Sequence, residues 1–375
     1  MEHPLLAAAT IEALKDFINR ICRPEPFLIL SVIGLAAFLA GYRKLTRPKV
    51  ALTILIVFTS FYALSAFDPD FMAIIKKPDN VPITMMIYSV MLCIWLGFRQ
   101  AAVNDTNSEK GLPLIEAGSD DRVLVWPDLV YTELVCLVLC SVFLMVWAII
   151  LRAPLEQPAD PSVAPNPAKA PWYFLGLQEL LVYFDPWIAG VLLPGLIIVG
   201  LIAVPFIDKN PRGNGYYTFK ERKFAITMFL SGFLIMWVVL IIFGTFLRGP
   251  NWNFFGPYEY WDPHRPAALV NLEPKELFWI KIMGRGIPTE DVGPFKHYWI
   301  RESPGLVLLL LYFIGLPFML YKLVFRKMYA SMGLIRYVIM VELLLWMMLV
   351  PIKMVLRWTL NLHYIVGITE LFFNV

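Results

Sequence analysis

Residues 161–185 read PSVAPNPAKAPWYFLGLQELLVYFD and lie between two apolar runs, 129–151 and 187–207. The first half is proline-rich and cannot be helical, because each Pro fixes φ and removes a backbone donor. The second half turns apolar and aromatic: Trp172, Leu175, Gln178 and Glu179 follow the i, i+3, i+6, i+7 pattern, which puts them on one face of a short helix. Each flanking run is long enough for about 30 Å of hydrocarbon. The pattern is therefore helices through a bilayer, with a stiff loop and a short aromatic helix at its surface, where amphipathic rings are favoured. A plain connector with aromatic anchors has the same features.

Outward from this stretch the whole chain reads the same way. Of its 375 residues 59 % are hydrophobic, 15 % aromatic and only 16 % charged, which is too apolar for a soluble domain. Eight runs reach membrane-spanning length: 27–45, 50–67, 81–98, 129–151, 187–207, 224–247, 304–323 and 337–356. All are expected to be helices, since an isolated strand leaves backbone groups unpaired in lipid. The fold class is all-α and polytopic. The start lacks a secretory signal; Ile11, Leu14, Ile18 and Ile21 instead space out along one face of an interfacial helix. The apolar tail 358–375 is too short and broken for a ninth span and is expected in the interface. A net charge of +3, with Lys and Arg clustered beside apolar runs, speaks for membrane topology and against nucleic acid.

Loop charge sets an expected orientation. Arg43, Lys44, Arg47 and Lys49 follow the first run; Lys209, Arg212, Lys220, Arg222 and Lys223 follow the fifth; Lys322, Arg326 and Lys327 follow the seventh. Alternating spans put these turns on one face, the cytoplasmic one, and the 161–185 loop on the other. The expected organisation is three spans of unassigned role (1–100), a polar linker (101–122), a middle block (123–247), an aromatic outer segment (248–303), and two closing spans with the tail (304–375).

The middle block carries a resemblance. VWPDLVY (125–131), LEQPADP (155–161), PWYF (171–174) and GVLLPGLIIVGLIAVPFIDKNP (190–211) occur in this order. Together they resemble the C-terminal half of cytochrome b, most closely subunit IV of the photosynthetic cytochrome complex and its bacterial relatives. In that family these pieces surround the quinol-oxidation pocket. The resemblance implies a quinol-binding turn at Pro171, Trp172, Tyr173, Phe174 and Leu177, and a place for Asp128 near the second, quinone-reducing site. It also implies a bacterial cytoplasmic (inner) membrane subunit whose partners are a haem-bearing cytochrome b chain, a Rieske-type iron–sulfur protein and a c-type cytochrome. Haem and iron–sulfur then sit on those partner chains.

Two departures shape the candidate chemistry. The family's Pro-Glu-Trp-Tyr motif places a proton-accepting carboxylate before the Trp, but here the stretch is Ala170, Pro171, Trp172, Tyr173. Glu179, two turns along the face of Trp172, is the expected replacement base, with Asp185 at the helix end as the second candidate. A solvated face residue is the plainer reading of Glu179. The second departure concerns haem: the histidines, His3, His264, His297 and His363, lie outside the span interiors and no two are spaced to face one another, so no bis-His haem is expected in this chain. Cys22, Cys93, Cys136 and Cys140 form no CxxCH, and Cys136 and Cys140 read as small core hydrophobes; no metal site is expected. Glu133 and Asp128 open the fourth run, while Glu342 and Lys353 in the last are expected to pair, with each other or with a partner helix. The function expected is that of a membrane subunit of a quinol:cytochrome c oxidoreductase complex. A secondary transporter, or a non-catalytic scaffold subunit, is the alternative.

Overall fold

The computed structural model describes residues 2–118, 122–151, 158–162, 164–211, 216–266, 270–293 and 296–375, with side chains from Ala9 onward. Leu155, Glu156 and Gln157 of the LEQPADP stretch, and Arg212, lie outside the described residues.

All eight expected spans are helices: Pro24–Leu45, Pro48–Ser65, Asn80–Glu109, Val125–Ile150, Ile188–Ile207, Lys223–Leu247, Ser303–Leu323 and Leu334–Leu360. The sixth and eighth form the centre, with 33 % and 39 % of their apolar windows buried, against 0 % for the fourth. Leu240 and Phe243 of the sixth and Leu349 and Met354 of the eighth meet Ile188 and Leu193 of the fifth and Leu28 of the first in one core. Between spans this core is held by packing, since lipid tails are as apolar as the side chains themselves.

One end of the bundle carries the 161–185 loop, the 248–303 segment and both termini. The opening helix Glu2–Ile21 lies there, tied by Lys15 to Asp68 at 2.8 Å and by Asn19 Oδ1, which accepts from the Tyr258 N–H at 3.0 Å. Ile11 and Leu14 face out, as an interfacial helix requires, while Ile18 and Ile21 are half-buried against the bundle. The tail does not lie loosely in the interface. It folds back as a small antiparallel hairpin, Gly367–Ile368 against Phe373–Asn374, and buries Val366, Ile368 and Val375 in the main core.

The other end is basic, and there the first three spans lock onto the rest. Tyr42 packs edge-on against Phe219 at 4.9 Å and donates to Asp105 at 2.7 Å; Asp105 also accepts from the backbone N–H groups of Phe219 and Lys220. Arg43 grips Glu109 through two nitrogens, at 2.8 and 2.9 Å, and Lys220 joins the same carboxylate. The third span runs on to Glu109, so the expected linker begins as helix. Two of its polar residues, Asn104 and Asp105, are buried, and Asn104 holds Glu116 at 2.8 Å, while Ser108 and Glu109 are exposed. A polar run whose groups satisfy one another can stay helical and buried.

Candidate functional site

The short helix expected in the central loop forms over Trp172–Leu180 and lies against the sixth span. Its buried face is Leu175, Gly176, Glu179 and Leu180. Close approach depends on Gly244 of the span, where a Cβ would stand 2.9 Å from Leu175 Cγ. The aromatic start is left uncovered: Trp172, Tyr173 and Phe174 are 38 %, 49 % and 52 % exposed and touch ring to ring, at 5.6 and 4.7 Å. Pro171, at the cap position, is exposed too, and Leu177 is half-buried against the core. Trp172 and Glu179 therefore share a helix but not an environment. Their spacing puts them on one side of the helix, but that side is covered only from Leu175 onward.

Glu179 is fully buried and its carboxylate is surrounded by donors. Arg248, just past the end of the sixth span, donates from Nη2 to Oε1 at 2.6 Å and from Nε to Oε2 at 3.0 Å. Tyr183 Oη donates to Oε1 at 2.8 Å and Trp252 Nε1 to Oε2 at 3.0 Å. Arg248 in turn donates to the Trp252 carbonyl at 2.6 Å and lies 3.6 Å over the Phe254 ring. Burial alone would lower the Arg248 pKa, but the Glu179 and Tyr183 oxygens outweigh it and hold it above its ordinary value. Burial, then Glu179, pushes the Tyr183 phenol well up. Glu179 is thus neither the solvated face residue of the plainer reading nor an open base. Both oxygens are committed.

The other expected residues are dispersed. Asp185 holds the C-terminal tail, accepting from Asn374 at 3.0 Å and from Tyr364 at 3.5 Å, and it turns the chain into the fifth span through the Trp187 N–H at 3.3 Å. Asp128 lies at the opposite, basic end of the bundle, exposed at the start of the fourth span. Cys136 and Cys140 are exposed on that span rather than in a core. His264 is exposed, His297 lies between Asp291 at 3.0 Å and Glu370 at 3.4 Å, and the His363 ring lies 3.9 Å from that of Tyr364, tilted by 45°. Glu342 and Lys353 do not pair with each other. Three turns of helix, about 16 Å, separate them, and the buried Lys353 instead donates to the His363 carbonyl beneath the Phe184 and Tyr364 rings.

The roles of three residues of this region escaped the sequence reading. Arg248 had a visible signal, a cation at the end of an apolar run on the face expected to be poor in them. Gln178 and Lys169 had none. Gln178 accepts from the Ala170 N–H at 2.8 Å and donates to the Ala168 carbonyl at 3.0 Å, clamping the loop on both sides of Lys169. Lys169 Nζ donates to the Thr245 carbonyl at 2.6 Å.

The loop end of the bundle thus presents an aromatic turn, fastened from behind by a buried ion pair to the end of the sixth span. No solved structure matches the chain. Residues 158–258, from the central loop through the fifth and sixth spans to Tyr258, match the family described as cytochrome b (C-terminal)/b6/petD; the match spans less than half of the 375-residue chain.

Proposed function

We propose that the chain is a membrane subunit of a quinol-oxidising bc-type complex, in which Pro171, Trp172, Tyr173, Phe174 and Leu177 form part of the wall of the quinol-oxidation pocket. The observation that carries it is the outward aromatic turn Trp172–Phe174 inside the matched segment, large rings left uncovered by their own chain while the rest of the helix is packed. Exposed aromatics on a rigid support suit a pocket that a neighbouring chain closes. The haem-bearing cytochrome b chain is that neighbour. Haem and a Rieske-type iron–sulfur cluster on partner chains supply the one-electron chemistry, and a c-type cytochrome receives the electrons.

Within this chain the work is binding and positioning. Glu179 and Arg248 fix the turn relative to the sixth span, so the rings hold one orientation without any contact to the substrate themselves. Asp185 fastens the tail beneath the same helix. The loop end faces the periplasm and the Lys220 end the cytoplasm, and Asp128 sits at the latter beside the second quinone site. The first three spans act as a buttress, clamped to the core through Phe27 and Phe243 at one end and Tyr42 and Asp105 at the other.

The test is purification of the complex from its membrane. Co-purified haem and iron–sulfur chains with quinol:cytochrome c reductase activity are expected, and Trp172→Ala should raise the KM for quinol with haem content unchanged. A lone chain that carries a solute instead would make it a transporter. An assembled complex in which Trp172→Ala changes nothing would leave a scaffold role.

A further inference from the structure

We infer that Lys169 is the proton-accepting group of the pocket beside Trp172, its neutral amine taking the proton of a quinol hydroxyl received between Lys169, Thr245 and Trp261. This rests on the quinol-oxidation reading and adds to it the base that Pro171 and the committed Glu179 leave unassigned.

The geometry is built, not incidental. Gln178 holds the backbone on both sides of Lys169, so the side chain is directed inward at the foot of the aromatic turn. One Nζ hydrogen goes to the Thr245 carbonyl, and Nζ lies 5.1 Å from the centre of the Trp261 ring. An ammonium there has further hydrogens to place, yet among the described residues no carboxylate lies within salt-bridge distance of it. Beside it are two buried polar groups without partners: Thr245 Oγ1 on a fully buried residue, and Trp261 Nε1. A buried hydroxyl and a buried indole N–H left unmatched next to an amine mark a place where an oxygen belongs.

The surroundings favour the amine over the ammonium. Lys77 lies over the same Trp261 ring at 4.9 Å, putting a second cation against the site. The other charged groups facing Lys169 are Asp79 from the turn before the third span, Glu179 from the loop helix and Arg248 from the end of the sixth span. The last two neutralise each other in their own ion pair. Burial first, then Lys77, brings Lys169 down to about 7, where an amine and its ammonium interconvert at ordinary pH.

In the step proposed, quinol gives up two electrons and two protons. The electrons leave to the iron–sulfur and haem centres of partner chains. The first proton goes to the Nζ lone pair, converting amine to ammonium, and passes from there to water at the loop surface; the restored amine then takes the second proton and releases it by the same route.

The test uses the assembled complex with Lys169→Arg and Lys169→Met. Arginine keeps the charge, a donor for Thr245 and the ring contact, but cannot lose its proton. If Lys169 is the base, wild-type quinol oxidation rises with pH through a midpoint near 7. Both variants should fall by about 10²–10⁴-fold and lose that midpoint, with haem content and the KM for quinol little changed. Wild-type rate and pH profile in Lys169→Arg would reduce the residue to a structural clamp and overturn the inference. A wild-type complex with no quinol oxidation would remove the underlying reading as well. Should Lys169→Met fail to assemble, the flat profile of Lys169→Arg decides alone.

Discussion

Removing Arg248 tests the anchor of the aromatic turn most directly. Arg248→Met keeps the length and the apolar stem but leaves Glu179, which is fully buried, with only Tyr183 Oη and Trp252 Nε1 as partners. Stranding one member of a buried ion pair costs about 3–5 kcal/mol. At about 1.4 kcal/mol per decade, that is a loss of two to three and a half orders of magnitude in the folded-to-unfolded ratio. Replacing both members changes the balance. In Glu179→Gln/Arg248→Met the amide oxygen accepts from Trp252 Nε1 and the amide N–H donates to Tyr183 Oη, no charge is buried, and the loss should shrink to about 1–2 kcal/mol, the scale of a rearranged neutral hydrogen bond. The assay is reversible unfolding in mixed micelles for the wild type, both single variants and the double, followed by Trp fluorescence and closed as a double-mutant cycle. A coupling energy below about 1 kcal/mol, the value of an exposed pair, would refute a buried, mutually dependent Glu179–Arg248 pair and with it the rigid mounting of Trp172–Phe174.

Gly244→Ala drives a Cβ to within 2.9 Å of Leu175 Cγ and should lift the loop helix off the sixth span at a cost of about 1–3 kcal/mol, detectable as faster modification of a cysteine placed at Leu180 on the same buried face. Burial first, then Arg357 and Lys353, lowers His363 to about 4, below the ordinary 6.5. Its unfolded state therefore binds a proton that the folded state does not, and stability should fall as pH drops from about 6.5 toward 4, by less than the ~1.4 kcal/mol per unit of a fully buried group because solvent screens the half-buried ring. The slope should flatten in His363→Gln, measured as melting temperature against pH. For orientation, an impermeant thiol reagent applied from outside should label Ala164→Cys and not Lys209→Cys in a background without the native cysteines; the reverse pattern would invert the bundle.

The class and the eight spans were legible in the chain alone, and so was the family resemblance, of which PWYF and GVLLPGLIIVGLIAVPFIDKNP fall inside the matched residues 158–258 and VWPDLVY outside them. Those are matters of run length and of local motif: about twenty apolar residues have to cross lipid as helix whatever their neighbours do, and PWYF with GVLLPGLIIVGLIAVPFIDKNP is recognisable in one dimension. The short helix from Trp172 was legible too, because a 3.6-residue period and the end of a proline run are local signals. Which face of that helix is buried was not. Glu179 lies nearly seventy positions from Arg248, and nothing local to either residue says that an arginine after one span will meet a glutamate before another.

The same limit hid Lys169, an unremarkable lysine in a proline- and alanine-rich loop until Gln178, Thr245 and Trp261 close around it. It also hid that Asn104 and Asp105 of the expected linker lie in buried helix and that Val366, Ile368 and Val375 of the tail reach the core. In each case the deciding quantity was desolvation. A charge or amide taken out of water has to find its partners inside, and those partners come from distant segments that only the folded bundle brings together.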